Sequence, residues 1–340
     1  MNEYSKKNEY SKKNIALELK KKGVNSQCVY GNTPVHLLAS IGYDEEIRRH
    51  IKKLISKQAN INMENNEGNT PLHLVVDRDA YKGYNKTVEL LIKHGANIDS
   101  KNKNGLTPLM VAYRKGNNKF VVLLLKKGAD PTVKDNNGFT LLHELAKTGD
   151  SYIKNVLDIE DININIQNNY GYTPLHFAVL KRQYKMVKLL VERGAYINIT
   201  NNNGYTPLHF AVHNNYYDMV KLLVERGADI NSKSHKGGTP LSIAVYKNYY
   251  DMVELLVDLG AYINIKRNNG YTPLHLAVSA QEYDMVKLLV DLKADINNKI
   301  DVKLGEDINN KKDVSEYSSI HIAVDKKDYD MVKLLVDLGA

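Results

Sequence analysis

The sequence predicts an all-α fold in which short helix pairs stack in a row. Three observations carry this: a signature at a nearly constant period, helix-start and helix-stop residues in fixed places inside each period, and near-identity between neighbouring periods. The signature is Thr-Pro-Leu-His at Thr70, Thr173, Thr206 and Thr272, and Thr-Pro-Val-His at Thr33. Variants stand at Thr107, Thr140, Thr239 and Ser318. Successive spacings are 37, 37, 33, 33, 33, 33, 33 and 46 residues. A fixed period near 33 marks a chain built of stacked units rather than one globule.

One unit, Gly204 to Asn231, explains the rest. Asn203-Gly204 is a tight-turn signal, because both residues tolerate positive φ. Thr206 suits an N-cap, and Pro207 suits the first helical position, where no backbone donor is needed. A short helix follows, with Leu208, Ala211 and Val212 on its apolar face. Asn214-Asn215 breaks it. A second helix runs from about Tyr217 to Arg226. Its Met219, Val220, Leu222, Leu223 and Val224 leave few polar positions, so it must be covered on more than one side. Gly227 supplies a left-handed stop.

This unit resembles the ankyrin repeat. The family pattern is met by Thr206-Pro207-Leu208-His209, Val220-Lys221-Leu222-Leu223 and Gly227-Ala228-Asp229. The resemblance covers about 320 of the 340 residues, in about nine repeats. It implies an ankyrin-repeat solenoid of helix pairs with projecting β-hairpin loops, and protein binding through the hairpin tips and inner helices of a concave face. Residues 1–13 are expected to be a disordered, lysine-rich tail. Residues 14–30 are expected to be a degenerate half repeat that caps the array, and 31–340 the ankyrin-repeat domain. The first two full repeats carry four extra residues, expected between their helices. The unit at Thr140 has Glu160-Asp161 where Gly-Ala belongs, so its second helix is expected to be irregular. An insertion near 298–316 holds a local duplication, Leu292–Lys303 against Leu304–Ser315, and is expected to form a mobile bulge. Met331, Val332, Leu335 and Val336 match inner repeats rather than a capping one, so that end is expected to fray or to be covered.

Composition bounds the function. The chain is 43% hydrophobic and 25% charged, ordinary for a folded protein, with a net charge of +8. The lysines are interspersed with acids, and no Lys/Arg block is interleaved with aromatics, so nucleic acid is not an expected partner. Cys28 is the sole cysteine, which excludes an intrachain disulfide and a Cys-based zinc site. No apolar stretch follows the N-terminus, and the longest apolar run, Phe120 to Leu125, is too short to cross a bilayer. A cytoplasmic protein is expected, or one moved into a host cell without a standard signal peptide.

No metal-protease, phosphate-loop or nucleophile-elbow motif appears, so no enzymatic activity and no cofactor is expected. Seven histidines hold the signature position. Stacked helices sit roughly 8–10 Å apart, while zinc–nitrogen bonds are about 2 Å, so successive histidines cannot share an ion. The resemblance implies a structural role, with the imidazole bonded to Thr and loop backbone.

The 23 tyrosines, against four Phe and no Trp, fall into two main sets. Tyr184, Tyr217, Tyr250, Tyr283 and Tyr329 open the second helix, a position the family usually buries, so packing is expected there. Tyr172, Tyr205 and Tyr271 follow the turn glycine, where the resemblance places them on the concave side. Tyrosine offers stiff, amphipathic contact area and is enriched at binding hot spots. Cross-hairpin packing, in an AT-rich coding background, is the competing reading. The repeats Gly171–Asn198 and Gly204–Asn231 are identical at 22 of 28 positions. Four of the six differences are consecutive, Leu180–Gln183 against His213–Tyr216. A constant frame with one varying strip is built like a recognition surface, and drift at unconstrained positions would look the same. The expected contact residues are therefore Tyr172, Tyr205 and Tyr271 as anchors, with Lys181, His213, Asn214, Tyr246 and Lys247 setting specificity. The expected partner is a protein, with no small-molecule substrate. Recent duplication and composition suggest a host-directed protein of an intracellular bacterium or large virus. An endogenous scaffold, or an inhibitory or regulatory subunit of a cellular enzyme, is the alternative.

Overall fold

The computed structural model describes residues 23–42, 44–78, 84–303 and 314–340. The expected tail, and the first part of the expected cap, lie outside these. Among the described residues eighteen helices form nine pairs. The inner helices are α1 (Pro34–Ile41), α3 (Pro71–Val76), α5 (Pro108–Arg114), α7 (Leu141–Thr148), α9 (Pro174–Leu180), α11 (Pro207–His213), α13 (Pro240–Tyr246), α15 (Pro273–Ala280) and α17 (Ser319–Asp325). Their outer partners are α2 (Glu45–Ile55), α4 (Tyr84–Lys93), α6 (Asn118–Lys126), α8 (Ile153–Leu157), α10 (Tyr184–Glu192), α12 (Tyr217–Glu225), α14 (Tyr250–Asp258), α16 (Tyr283–Asp291) and α18 (Tyr329–Asp337).

Two compact units divide the chain. The first comprises 1–144 and 154–163, the second 145–153 and 164–340. In the first, α1 packs on α3 and α3 on α5. In the second, α9, α11, α13, α15 and α17 stack in sequence, each also against its own outer helix. The core of the second unit repeats: Leu208, Ala211, Val212, Met219, Val220 and Leu223 are all essentially inaccessible. Burying each such Leu, Val or Met side chain contributes about 1.5–3 kcal/mol, so the helices hold each other where neither would persist alone.

Caps set the helix lengths. Thr206 is extended at φ −85°, ψ 166°, and Pro207 opens α11. Between the helices of a pair one residue turns left-handed: Gly116 and Gly149, then Arg182, Asn215, Asn248, Gln281 and Lys327, with φ between 55° and 77°. Gly227, at φ 91°, ends α12.

Three departures have local causes. In the first full repeat the extra residues mainly lengthen the helices, α2 reaching 11 residues, rather than widening the gap between them. In the second they do widen it. Without Gly-Ala, α8 shrinks to five residues, and Asp161 supplies the positive φ of 58°. In the insertion, β1 (Ile300–Lys303) pairs antiparallel with β2 (Val314–Tyr317), Ile300 opposite Tyr317.

The outer-helix tyrosines are a correction. Tyr184, Tyr217 and Tyr283 are half-buried, and Tyr250 and Tyr329 are 38% and 79% exposed. A phenol needs a partner for its hydroxyl, and the rim of the stack provides one. Tyr217 donates to the Asp251 carbonyl, and Tyr283 to the Asp328 carboxylate.

Candidate functional site

The loop turns are held by side chains more than by strand pairing. Asn201 N–H donates to Tyr205 O at 3.0 Å, and Gly204 N–H to Asn201 O at 2.9 Å. The Asn201 Oδ1 then accepts from Asn203 N and Tyr205 N, each at 3.0 Å. Asn65, Asn102, Asp135 and Asn168 repeat that pair of bonds, and Ser234 makes one, to Gly238 N. Successive loops are stitched by Asn202 Nδ2 to Asn169 O and Asn268 Nδ2 to His235 O, at 2.9 and 2.8 Å. Asparagine thus has a structural duty at a fixed place in four repeats, and aspartate takes it in a fifth.

The histidines fix these turns to the inner helices. Thr206 N–H donates to His209 Nδ1 at 3.1 Å, so the proton sits on Nε2, which donates to Gly238 O at 3.1 Å, a residue of the next turn. His36, His73 and His176 do the same. Burial pushes the imidazoles of His36 and His73 down from the ordinary range, and those of His209 and His275 to about 4. Among the described residues no group of three or more His, Cys, Asp or Glu is placed to hold a metal ion.

On this frame the second unit carries an open groove of about 420 Å³ between α11 and α13. Tyr205, Phe210 and Ile243 form its half-buried floor, and His213, Tyr246, Lys247 and Arg267 its rim. Tyr246 is 73% exposed. Burial, and then the Lys247 charge, lower the His213 pKa. At neutral pH the rim cations are therefore Lys247 and Arg267, and no Asp or Glu lines the groove.

Four of the eight sequence-predicted residues meet here: Tyr205, His213, Tyr246 and Lys247. The others do not. Tyr172 lies one repeat earlier, its ring centroid 5.5 Å from both Phe177 and Phe210 and 5.6 Å from His176. Tyr271 lines a separate cavity of about 390 Å³ with Ile300 and Tyr317 of the insertion ribbon. Lys181 is exposed at the end of α9. Asn214 turns its amide back onto Phe210 O at 2.8 Å, capping α11. The tyrosine packing read as a competitor is thus present, since Tyr205 also sits edge-on to His209 at 5.4 Å. Phe210, Ile243 and Arg267 were missed. Phe210 and Ile243 hold the same place after the signature, and that regularity was the available signal.

Together the inner-helix stack, the capped turns and the period define a repeat protein of paired helices. A family profile described as ankyrin repeats (3 copies) matches residues 49–135, 77–159, 123–201, 142–234 and 232–300. The chain belongs to the ankyrin-repeat family, whose members are typically non-catalytic protein-interaction modules. Among solved structures it is similar to the ankyrin-repeat domain of Bcl-3, described as a unique member of the IkappaB protein family. The identity is 30% and the TM-score 0.59, over 66% of this chain and 99% of that one. No curated protein sequence matches. Among the described residues no helix is long and apolar enough to cross a membrane.

Proposed function

We propose that this chain binds a partner protein through the face made by the turns and inner helices of the repeats from Gly171 to Ala294. One observation carries the reading: Tyr205, His213, Tyr246 and Lys247 meet in an open groove on a frame that hardly changes from repeat to repeat. Exposed tyrosine beside a half-buried apolar floor is the arrangement of an interaction hot spot. The frame is ordered beforehand by its caps and histidines, so little ordering cost attends binding. Composition and the internal duplications favour a host-directed protein over an endogenous scaffold or enzyme inhibitor.

The test uses Tyr246→Ala combined with Lys247→Ala. Both side chains are exposed, so the variant should keep the native circular dichroism. A partner captured from lysate by the native chain, and lost by this variant, is the expected result. A partner held equally by both would move the site off this groove.

A further inference from the structure

Arg267 stands at the turn position that Asn65, Asn102, Asp135, Asn168, Asn201 and Ser234 occupy in six other repeats. Its backbone makes the same bond, Arg267 N–H to Tyr271 O at 2.9 Å. A guanidinium has no acceptor atom, so the side-chain closure of that turn is lost. Asn269 takes over only the Tyr271 N–H, at 3.2 Å. Arg267 instead lines the groove between α11 and α13. Its Nε is shielded from solvent and bonded to nothing, and among the described residues no acid pairs with it. A turn residue that gives up its own turn's side-chain acceptor and lines a cleft with no acid paired to it is placed for a ligand.

We infer that this groove takes an acidic segment of the partner protein, with an Asp or Glu carboxylate received by Arg267 and a neighbouring apolar side chain lying on Tyr205, Phe210 and Ile243. This rests on the protein-binding reading above. The charge argument is direct: the rim offers Arg267 and Lys247, the lining contains no carboxylate, and a guanidinium fork matches a carboxylate. The half-buried apolar floor and the presence of only two cations favour a peptide over a nucleic-acid backbone, which needs a track of them.

A random 12-residue peptide library displayed on phage, selected on the full chain, supplies the probe. The consensus peptide is then labelled with fluorescein and its affinity measured by anisotropy. The enriched sequences should pair Asp or Glu with an apolar residue. Arg267→Asn should weaken binding about tenfold or more, the loss expected for a charge-assisted bond, while raising the thermal midpoint, because it restores the turn acceptor. Changing the peptide acid to its amide should cost as much against the native chain and nothing further against Arg267→Asn. If Tyr246→Ala weakens binding and Arg267→Asn does not, the groove stands and the acidic assignment falls. If neither variant weakens it, or if selection yields no peptide, both readings fall. Binding of oligo-dT that Arg267→Asn abolishes, without acidic peptides, would assign the groove to nucleic acid instead.

Discussion

In four repeats the signature imidazole accepts from the threonine N–H through Nδ1 and donates from Nε2 to a carbonyl near the next turn. Protonation would put a second donor at Nδ1, against an N–H, inside a buried turn. The folded chain therefore favours the neutral ring, and His209 and His275 titrate near 4, against about 6.5 in an unfolded chain. Between these values the unfolded chain binds protons that the folded chain does not. Stability should be full above about pH 6.5 and fall as pH drops toward 4, by on the order of 3 kcal/mol for His209 alone. Urea midpoints measured from pH 7.5 to 4.5 check this, and a flat profile would contradict it. The structural role of these histidines was legible from spacing and resemblance. Arg267 was not, because a lone arginine in a polar turn has no sequence signature; only six acceptors in register around it mark it as an exception.

At the scale of the element, the helices were legible because their caps are local chemistry: Thr-Pro starts them, and Gly or Asn ends them. The strip that varies between repeats was read as surface alone, yet its third residue is the left-handed link between inner and outer helices, at Arg182, Asn215, Asn248, Gln281 and Lys327. Variation there answers to backbone conformation as well as to any partner. Asparagine tolerates this conformation better than lysine, and Lys327 is exposed. Lys327→Asn should therefore raise stability, by less than the roughly 1–2 kcal/mol that the left-handed conformation costs an ordinary residue, read as a shift in urea midpoint at unchanged slope. A loss would mean that the lysine stem covers apolar surface of α17. The outer-helix tyrosines were misjudged for a related reason. Period alone places a side chain on a face, but a phenol reaches outward for an acceptor that only the neighbouring helix supplies.

For the molecule as a whole, the period gave the family and the repeat count, because the same cap residues and apolar positions recur in each repeat. The groove depended on residues from three successive repeats meeting in space, which no single repeat spells out. The same nearest-neighbour logic fixes where the array is weakest. Stability in such proteins is close to a sum of unit and interface terms, and the unit at Thr140 has the shortest outer helix, five residues against nine in α10, α12, α14 and α16. It also ends on Asp161 at φ 58° where glycine would be unstrained. Among the interior repeats, local opening should start there. Hydrogen exchange followed by mass spectrometry should find residues 150–162 the least protected between α5 and α16, and the helices α11 to α14 the most. Equal protection across residues 108–291 would show that a full-length outer helix is not what holds a repeat in place.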